Sequence, residues 1–329
     1  MLIDFLISLL AIWAGIFFFG LLTCGVEYLV WKQKGFIFIC FTFLHFRWDK
    51  DFYNRENPGK VKFSATRLNQ FFPTLMMLAS MYPLEKHRKE SRIFSIVLFV
   101  ITALLFAVIC VITLLAPESR CYLFLKWMLA GGVGYYLTRA HTIFRSTGKL
   151  TGLQEKIAEI RDTMMKENPE NLPQIAFAYP EYAKAPLGEK AVYLGIFYRY
   201  SEIRNDLMAM AEAANGYTKL STLTLTETGH FHVDSALFAY YSFREKNPEL
   251  ANKYYQHSKR AIDNDLDANG RRKLAYYAYF ILGDKALART YLEQGLWALG
   301  VDDPRMSRIE RDLEERMLGY LKSLLENER

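Results

Sequence analysis

Residues 5–26 read FLISLLAIWAGIFFFGLLTCGV, twenty-two positions without a charged side chain. At 1.5 Å of rise per residue such a helix is about 33 Å long, enough to cross a hydrocarbon core. A cleaved signal peptide would carry a basic start, a shorter apolar run and a small-x-small cleavage site. Asp4 precedes this run instead, and no such site follows it. The reading is a retained transmembrane helix over about 5–28.

Two further spans are expected. Ile93 to Ala116 is again uncharged and lies between Arg92 and Pro117-Glu118, which predicts a helix over 93–116. The third, 121–138, is shorter and contains Lys126, whose long stem can carry its charge to an interface. It also contains Ala130-Gly131-Gly132-Val133-Gly134, small residues that let helices approach closely in lipid. It is expected to fold back on the second helix through Pro117–Arg120. Lys32, Lys34, Arg47, Lys50, Arg55, Lys60, Lys62, Arg67, Lys86, Arg88, Lys89 and Arg92 crowd the loop 31–92. Arg139, Arg145 and Lys149 follow the third span. The positive-inside rule then makes the loop cytoplasmic, with the N-terminus outside and the C-terminal region in the cytosol. The expected setting is a multi-pass protein of the cell membrane.

The formal charge of the 329-residue chain is +6. It sits at the ends of apolar runs, so it reads as topology and implies no nucleic-acid partner. Cys24, Cys40, Cys110 and Cys121 have no CxxC spacing and fall in or beside apolar runs. They read as small packing residues rather than as disulfides or zinc ligands.

Inside the loop, Gly35–Phe46 reads GFIFICFTFLHF, too short for a helical span and rich in strand formers. Asn57-Pro58-Gly59 marks a turn within 54–60. A β-ribbon against the inner membrane surface is expected, with a further apolar stretch at Phe71–Met81, broken by Pro73, dipping into the membrane.

Beyond Thr151 the pattern becomes that of amphipathic helices. Leu153–Ile160 has helical spacing, Asn168–Pro173 breaks it, and Ala185-Pro186 opens a helix running to about Ala214. A soft repeat follows from Ser235. Ala251, Tyr254 and Ser258 recur thirty-seven residues later as Ala288, Tyr291 and Gly295, with Gly283-Asp284 as a turn. Such spacing resembles tetratricopeptide repeats, although the Trp and Leu-Gly positions of their first helix are missing. The fold class expected is therefore mainly α. A membrane domain with a short β-ribbon loop spans 1–150, and a cytosolic helical-hairpin repeat domain spans 151–329. Repeat surfaces bind partners, and the tyrosines 240, 241, 254, 255, 276, 277 and 291 are the candidate partner-binding residues: Tyr240, Tyr241, Tyr254, Tyr255, Tyr276, Tyr277 and Tyr291.

No Walker loop, GxGxxG fingerprint or GxSxG elbow occurs. His230, His232 and Asp234 form the one dense group of possible ligands. A strand could present His-x-His to a metal, but the plainer expectation makes Asp234 the cap of a helix beginning near Ser235. His45, His87, His141 and His257 stand alone in sequence. No catalytic residue, metal or cofactor is expected.

Residues 12–24, IWAGIFFFGLLTC, resemble the first core helix of some bacterial site-2-type intramembrane zinc metalloproteases, which reads like HEAGHLLFGLLTG. Ala14-Gly15 and Gly20-Leu21-Leu22-Thr23 match in register. The resemblance puts Ile12 and Ile16 where that family has its zinc-binding histidines, and Trp13 where it has its catalytic glutamate. Hydrocarbon can neither ligate zinc nor activate water. No aspartate that could be the family's third ligand is identifiable between 93 and 138. A membrane-associated β-rich loop, and in some members a cytoplasmic tetratricopeptide-like region, also belong to that family's outline. The resemblance thus implies a motif-lacking, non-enzymatic relative that binds a membrane peptide or protein in a regulatory or immunity-like role. The alternative is a membrane-anchored tetratricopeptide-like scaffold unrelated to proteases.

Overall fold

The structure is a computed structural model and describes residues 2–78, 84–115, 120–146, 150, 152–173, 180–221 and 227–327. The chain is mainly helical and divides into two compact units, Met1–Lys149 and Leu150–Arg329.

In the first unit α1 covers Leu2–Gln33. Among the described residues it is the one helix long and apolar enough, by length and composition, to cross a membrane. Its sequence looks uniformly apolar, yet its faces differ. Ala11, Gly15, Phe19 and Thr23, four residues apart, are buried, as side chains on one helical face should be. Bulky Leu9, Leu10, Phe18, Leu21 and Leu22 point outward and are exposed. Apart from Phe19 and Trp31, the buried positions are small and many bulky apolar ones face outward, which inverts the pattern of a helix in water.

The chain turns at Gly35, whose φ of +82° suits glycine. It enters β1, Ile37–Asp51, which pairs antiparallel with β2, Lys60–Leu78. The turn between them is closed by the Asn54 side chain, which accepts from the backbone of Glu56 and Asn57 at 3.0 Å each, and by Gly59 at φ +84°. β1 runs five residues past Phe46, where the expected strand ended. Pro73 does not break off a separate segment: it lies within β2, opposite the register between Thr42 and Leu44 where the ribbon bulges. Leu44 takes a positive φ there, and bulges are where a strand tolerates a lost ladder bond. Residues 79–81 of the expected dipping stretch lie outside the described residues. The ribbon's near half lies along α1: Phe36 packs on Trp31, Phe43 on Phe17 and Trp13, and Pro73 on Gly20.

Helices α2, Leu84–Leu115, and α3, Arg120–Ser146, complete the unit. Both expected spans are helical, but α2 starts nine residues earlier, with a charged first two turns, and α3 carries Arg120, Lys126, Arg139 and Arg145. Neither joins α1 in meeting the membrane-crossing description among the described residues, so three spans are not a finding of the fold. The joining residues 117–119 lie outside the described ones. The small residues of α3 are also used differently from expectation: their close partner is α1.

The second unit is a run of helices. α4 covers Leu153–Lys166, and a short 3-10 turn at Pro169–Asn171 follows where a break was expected. Next come α5, Pro180–Lys184; α6, Leu187–Arg204; α7, Leu207–Ser221; α8, Glu227–Phe243; α9, Pro248–Asp263; α10, Ala268–Phe280; α11, Lys285–Leu299; and α12, Arg308–Asn327. The single helix expected to reach Ala214 is two, because Asn205 adopts a left-handed conformation and Asp206 caps α7 by accepting from Ala209 N at 3.1 Å.

That break recurs. Lys246-Asn247 and Gly283-Asp284 repeat it: a residue with positive φ, then an Asn or Asp that caps the next helix. In each, the capping residue's N–H also reaches back 2.9 Å to the preceding helix: Asp206 to Ser201 O, Asn247 to Tyr241 O, Asp284 to Ala278 O. Left-handed residues satisfy the carbonyls of one helix end, and Asx caps satisfy the N–H groups of the next. The chain thereby forms three consecutive hairpins, α6/α7, α8/α9 and α10/α11. Ala251 and Ser258 on α9 match Ala288 and Gly295 on α11, all buried, so the second helices share one packing face. α12 starts with a capping box, Ser307 with Glu310, and packs against α4, α6, α10 and α11.

Candidate functional site

Residues 12–24 lie in the seam between α1 and α3. A Cβ on Gly15 would overlap the Met128 carbonyl oxygen, and one on Gly131 would overlap the Ile12 carbonyl oxygen. The two backbones therefore touch at two reciprocal points. Gly132 admits the Phe19 ring in the same way. Ile16 packs against the cluster of Phe19, Leu129, Tyr135 and Tyr136. Trp13 meets the Phe43 ring edge-on at 6.4 Å. The Trp13 and Ile16 side chains are thus packed against neighbours. Among the described residues no group of three His, Cys, Asp or Glu side chains could hold a metal ion.

Polar groups collect one to three turns further along the seam. Thr23 Oγ1 donates to Phe19 O at 2.8 Å, so its single proton is used, and Tyr136 is the donor in their 3.1 Å contact. Glu27 pairs with Arg139, which also donates to the Tyr135 hydroxyl at 3.2 Å. The ion pair fixes the register of α3 against α1. Cys24 and Cys40 are buried free thiols, while the side chains of Cys110 and Cys121 lie outside the described residues.

In the second unit the structure gathers the predicted tyrosines but mostly inside. Tyr240, Tyr241, Tyr254, Tyr276 and Tyr277 are buried. Tyr241 stacks on Tyr254 at 5.7 Å, Tyr276 donates to Met317 O at 2.7 Å, and Tyr277 bonds Asn252. Burial pushes the Tyr240 hydroxyl up to about 12. These five fill the space between helices, and a partner would meet them only by displacing that packing. Tyr255 and Tyr291 are half-buried. Tyr255 donates to Asp263 at 2.9 Å, and Tyr291 lies under the Arg271 guanidinium.

Two polar clusters were not legible in the sequence. The first joins α6, α10 and α12. Arg272 grips Glu202 with two bonds of 2.9 and 3.2 Å and Glu314 through Nε at 2.6 Å. Arg199 reaches Glu202 at 2.9 Å and Glu314 at 2.8 Å. Burial alone would raise the Glu202 carboxyl, but Arg272 and Arg199 outweigh it and hold it down at about 2. Bidentate, fully bonded geometry of this kind is what lets charges stay ionised inside a protein.

The second cluster involves α8, the 264–267 loop and α10. Lys273 Nζ donates to Ser235 Oγ at 3.0 Å, and burial lowers the Lys273 ammonium. Burial and then the Asp267 charge push the Asp265 carboxyl up to about 6. An amine beside a hydroxyl can activate a serine, but Ser235 is only 6% exposed, so the pair is arranged for packing. Asp234 does not cap a helix. It lies in the middle of α8, buried, 3.8 Å from His257 Nδ1, so His257 is not alone. His230 and His232 sit on α8 rather than on a strand, and their side chains lie outside the described residues. His87 also has company, packed between Trp31 and Phe36 and 3.1 Å from Ser91 Oγ.

No family model, curated protein or solved structure matches this chain.

Proposed function

We propose that this chain is a multi-pass integral membrane protein with no catalytic role, which binds a protein or peptide partner and regulates it. In this reading the first unit sits in the bilayer with its N-terminus outside, and the hairpin unit lies in the cytoplasm. One observation carries it: α1 turns Gly15 and Thr23 to α3, while its bulky Leu9, Leu10, Phe18, Leu21 and Leu22 face outward, which suits a helix solvated by lipid. The exposed run Ile93, Ile96, Val97, Val100, Ile101, Leu104, Val108 and Val111 on α2 supports a second span. The packing of Trp13 and Ile16 against neighbouring rings supports a non-enzymatic role.

The alternative, a membrane-anchored tetratricopeptide-like scaffold, draws support from the thrice-repeated turn at 205–206, 246–247 and 283–284. Crosslinking in cells separates the two readings. A partner captured by the full chain and not by residues 150–329 favours recognition within the membrane unit. A partner captured equally by both favours the scaffold. Metal-dependent proteolysis by the purified native chain would falsify the non-catalytic reading.

A further inference from the structure

The far half of the β-ribbon has two unlike faces. Directly opposed residues share a face, and faces alternate along each strand. Phe46, Trp48 and Lys50 therefore share one face with Ala65, Phe63 and Val61, while Arg47, Asp49 and Asp51 share the other with Ser64, Lys62 and Lys60. The charged face is largely neutralised within itself: Arg47 Nε lies 2.7 Å from Asp49, and Lys62 pairs with Asp51.

The apolar face is not covered within its unit. Phe46, Val61 and Phe63 are 43%, 48% and 58% exposed. Their rings nonetheless form an ordered patch: Phe46 stacks on Phe63 at 5.7 Å, and Trp48 contacts Phe63 at 5.3 Å and Phe41 at 5.4 Å. A contiguous aromatic patch left in water is an interaction surface by default. Lys50, above the Phe52 ring at 5.0 Å, stands at its rim, and Arg55 and Lys60 stand at the turn. Residues 47–62 hold five Lys or Arg and three Asp or Glu.

We propose that this face docks on the interface of an anionic lipid bilayer, with Phe46, Trp48, Val61 and Phe63 at the headgroup–acyl boundary and Lys50 and Arg55 against lipid phosphates. Trp and Phe prefer that boundary, and basic side chains beside it are drawn to anionic headgroups. The charged face then looks to water, which the internal pairing of Arg47–Asp49 and Lys62–Asp51 suits. This inference rests on the membrane reading of the first unit.

The test uses the full chain in vesicles of phosphatidylcholine and phosphatidylglycerol. Trp48 emission is the difference between the wild type and Trp48→Phe. Ser64→Trp in the Trp48→Phe chain places the same reporter on the opposite face. Trp48 should be quenched by lipids brominated near the headgroup and shielded from aqueous iodide. The residue-64 reporter should show the reverse. Replacing phosphatidylglycerol by phosphatidylcholine should weaken the bromolipid quenching of Trp48. Equal iodide quenching at both positions, or no dependence on anionic lipid, overturns the proposal. So does a Trp48 shielded from both quenchers, which means protein covers the face, whether a second copy or another partner. A chain that does not float with vesicles overturns the membrane reading itself. A chain that floats with Trp48 in water overturns this inference alone.

Discussion

The α1–α3 seam and the α6–α10–α12 junction hold helices together by opposite means. The seam removes side chains until backbone meets backbone at Gly15 and Gly131. The junction fills its space with Tyr276, Arg272, Glu202 and Glu314, all buried. Charge differs as well: residues 1–149 hold 17 Lys or Arg and 8 Asp or Glu, against 24 and 27 in residues 150–329. The placement proposed above, with the first unit in lipid and the second in water, would account for the difference. In water, burying large apolar rings separates folded from unfolded. In lipid that drive is absent, and close van der Waals contact with a few polar links does the work. The seam's glycines and its Glu27–Arg139 pair fit the second case.

The seam should be the more fragile to added volume. Gly131→Leu drives a side chain into the Ile12 carbonyl, where backbone cannot yield. A loss above about 4 kcal/mol, enough to abolish folding of residues 1–149, is expected. Gly134→Ala is the control, because nothing lies within 4 Å of its Cβ position. It should be neutral or gain up to about 1 kcal/mol from helix propensity. Thermal unfolding of the full chain in detergent, followed by protease resistance, distinguishes them. Equal effects would mean that α1 and α3 do not pack through this face.

The junction should instead be fragile to lost charge. Arg272→Met leaves two buried carboxylates, Glu202 and Glu314, to share Arg199 alone in a dry site and should cost about 3–5 kcal/mol. The pH dependence has a fixed sign. The Glu202 carboxyl is held at about 2, below its ordinary 4.5, so its stabilisation is present above pH 4.5 and is lost as pH falls towards 2. Acid titration of the hairpin unit by circular dichroism should show that loss in the wild type, and a weaker one in a Glu202→Gln chain.

Much of the architecture is readable from residues. The 5–26 run, the Asn-Pro-Gly turn and the break at Asn168–Pro173 act locally, through hydropathy and turn chemistry. The Ala251/Ala288 repeat is visible because one packing face recurs. Its earlier copy is hidden, since Met210 and Ala213 stand where the later ones have Ala251 and Tyr254. The shared signal there was the turn, Asn205-Asp206, an αL-tolerant residue followed by a cap. Five of the seven candidate tyrosines are buried, which sequence alone does not show, because Tyr has a polar tip and an apolar body and either can be satisfied internally. The Arg272–Glu202–Glu314 network joins residues 70 and 42 positions apart, a distance over which no local pattern operates.

The Asp265 carboxyl gives a smaller effect of the opposite sign to Glu202. Burial and Asp267 raise it to about 6 from an ordinary 3.8. Its contribution is complete below pH 3.8 and is lost as pH rises through 6. Asp265→Asn should therefore stabilise the chain at pH 8, by about 2 kcal/mol, and change little at pH 3.5. Melting temperatures at the two pH values check it. A variant that destabilises equally at both would mean the carboxylate is needed in its charged form.

The smallest effect tests whether the hairpin unit's tyrosines are held by their tips as well as their rings. Tyr276 donates to the Met317 carbonyl at 2.7 Å, with both groups buried. Tyr276→Phe keeps the ring contacts with Phe243 and Phe280 at 4.4 and 5.7 Å, and removes only the bond from α10 to α12. A loss of about 1 kcal/mol is expected, somewhat more if the carbonyl finds no water. Tyr255→Phe removes two bonds at a half-buried hydroxyl, to Asp263 and from Lys259, where water can replace both, so its cost should be smaller still. Denaturant midpoints of the two variants decide this. If Tyr255→Phe proved the costlier, its bond to Asp263 would have to pin the end of α9, and the junction's strength would lie at the hairpin ends rather than in the core.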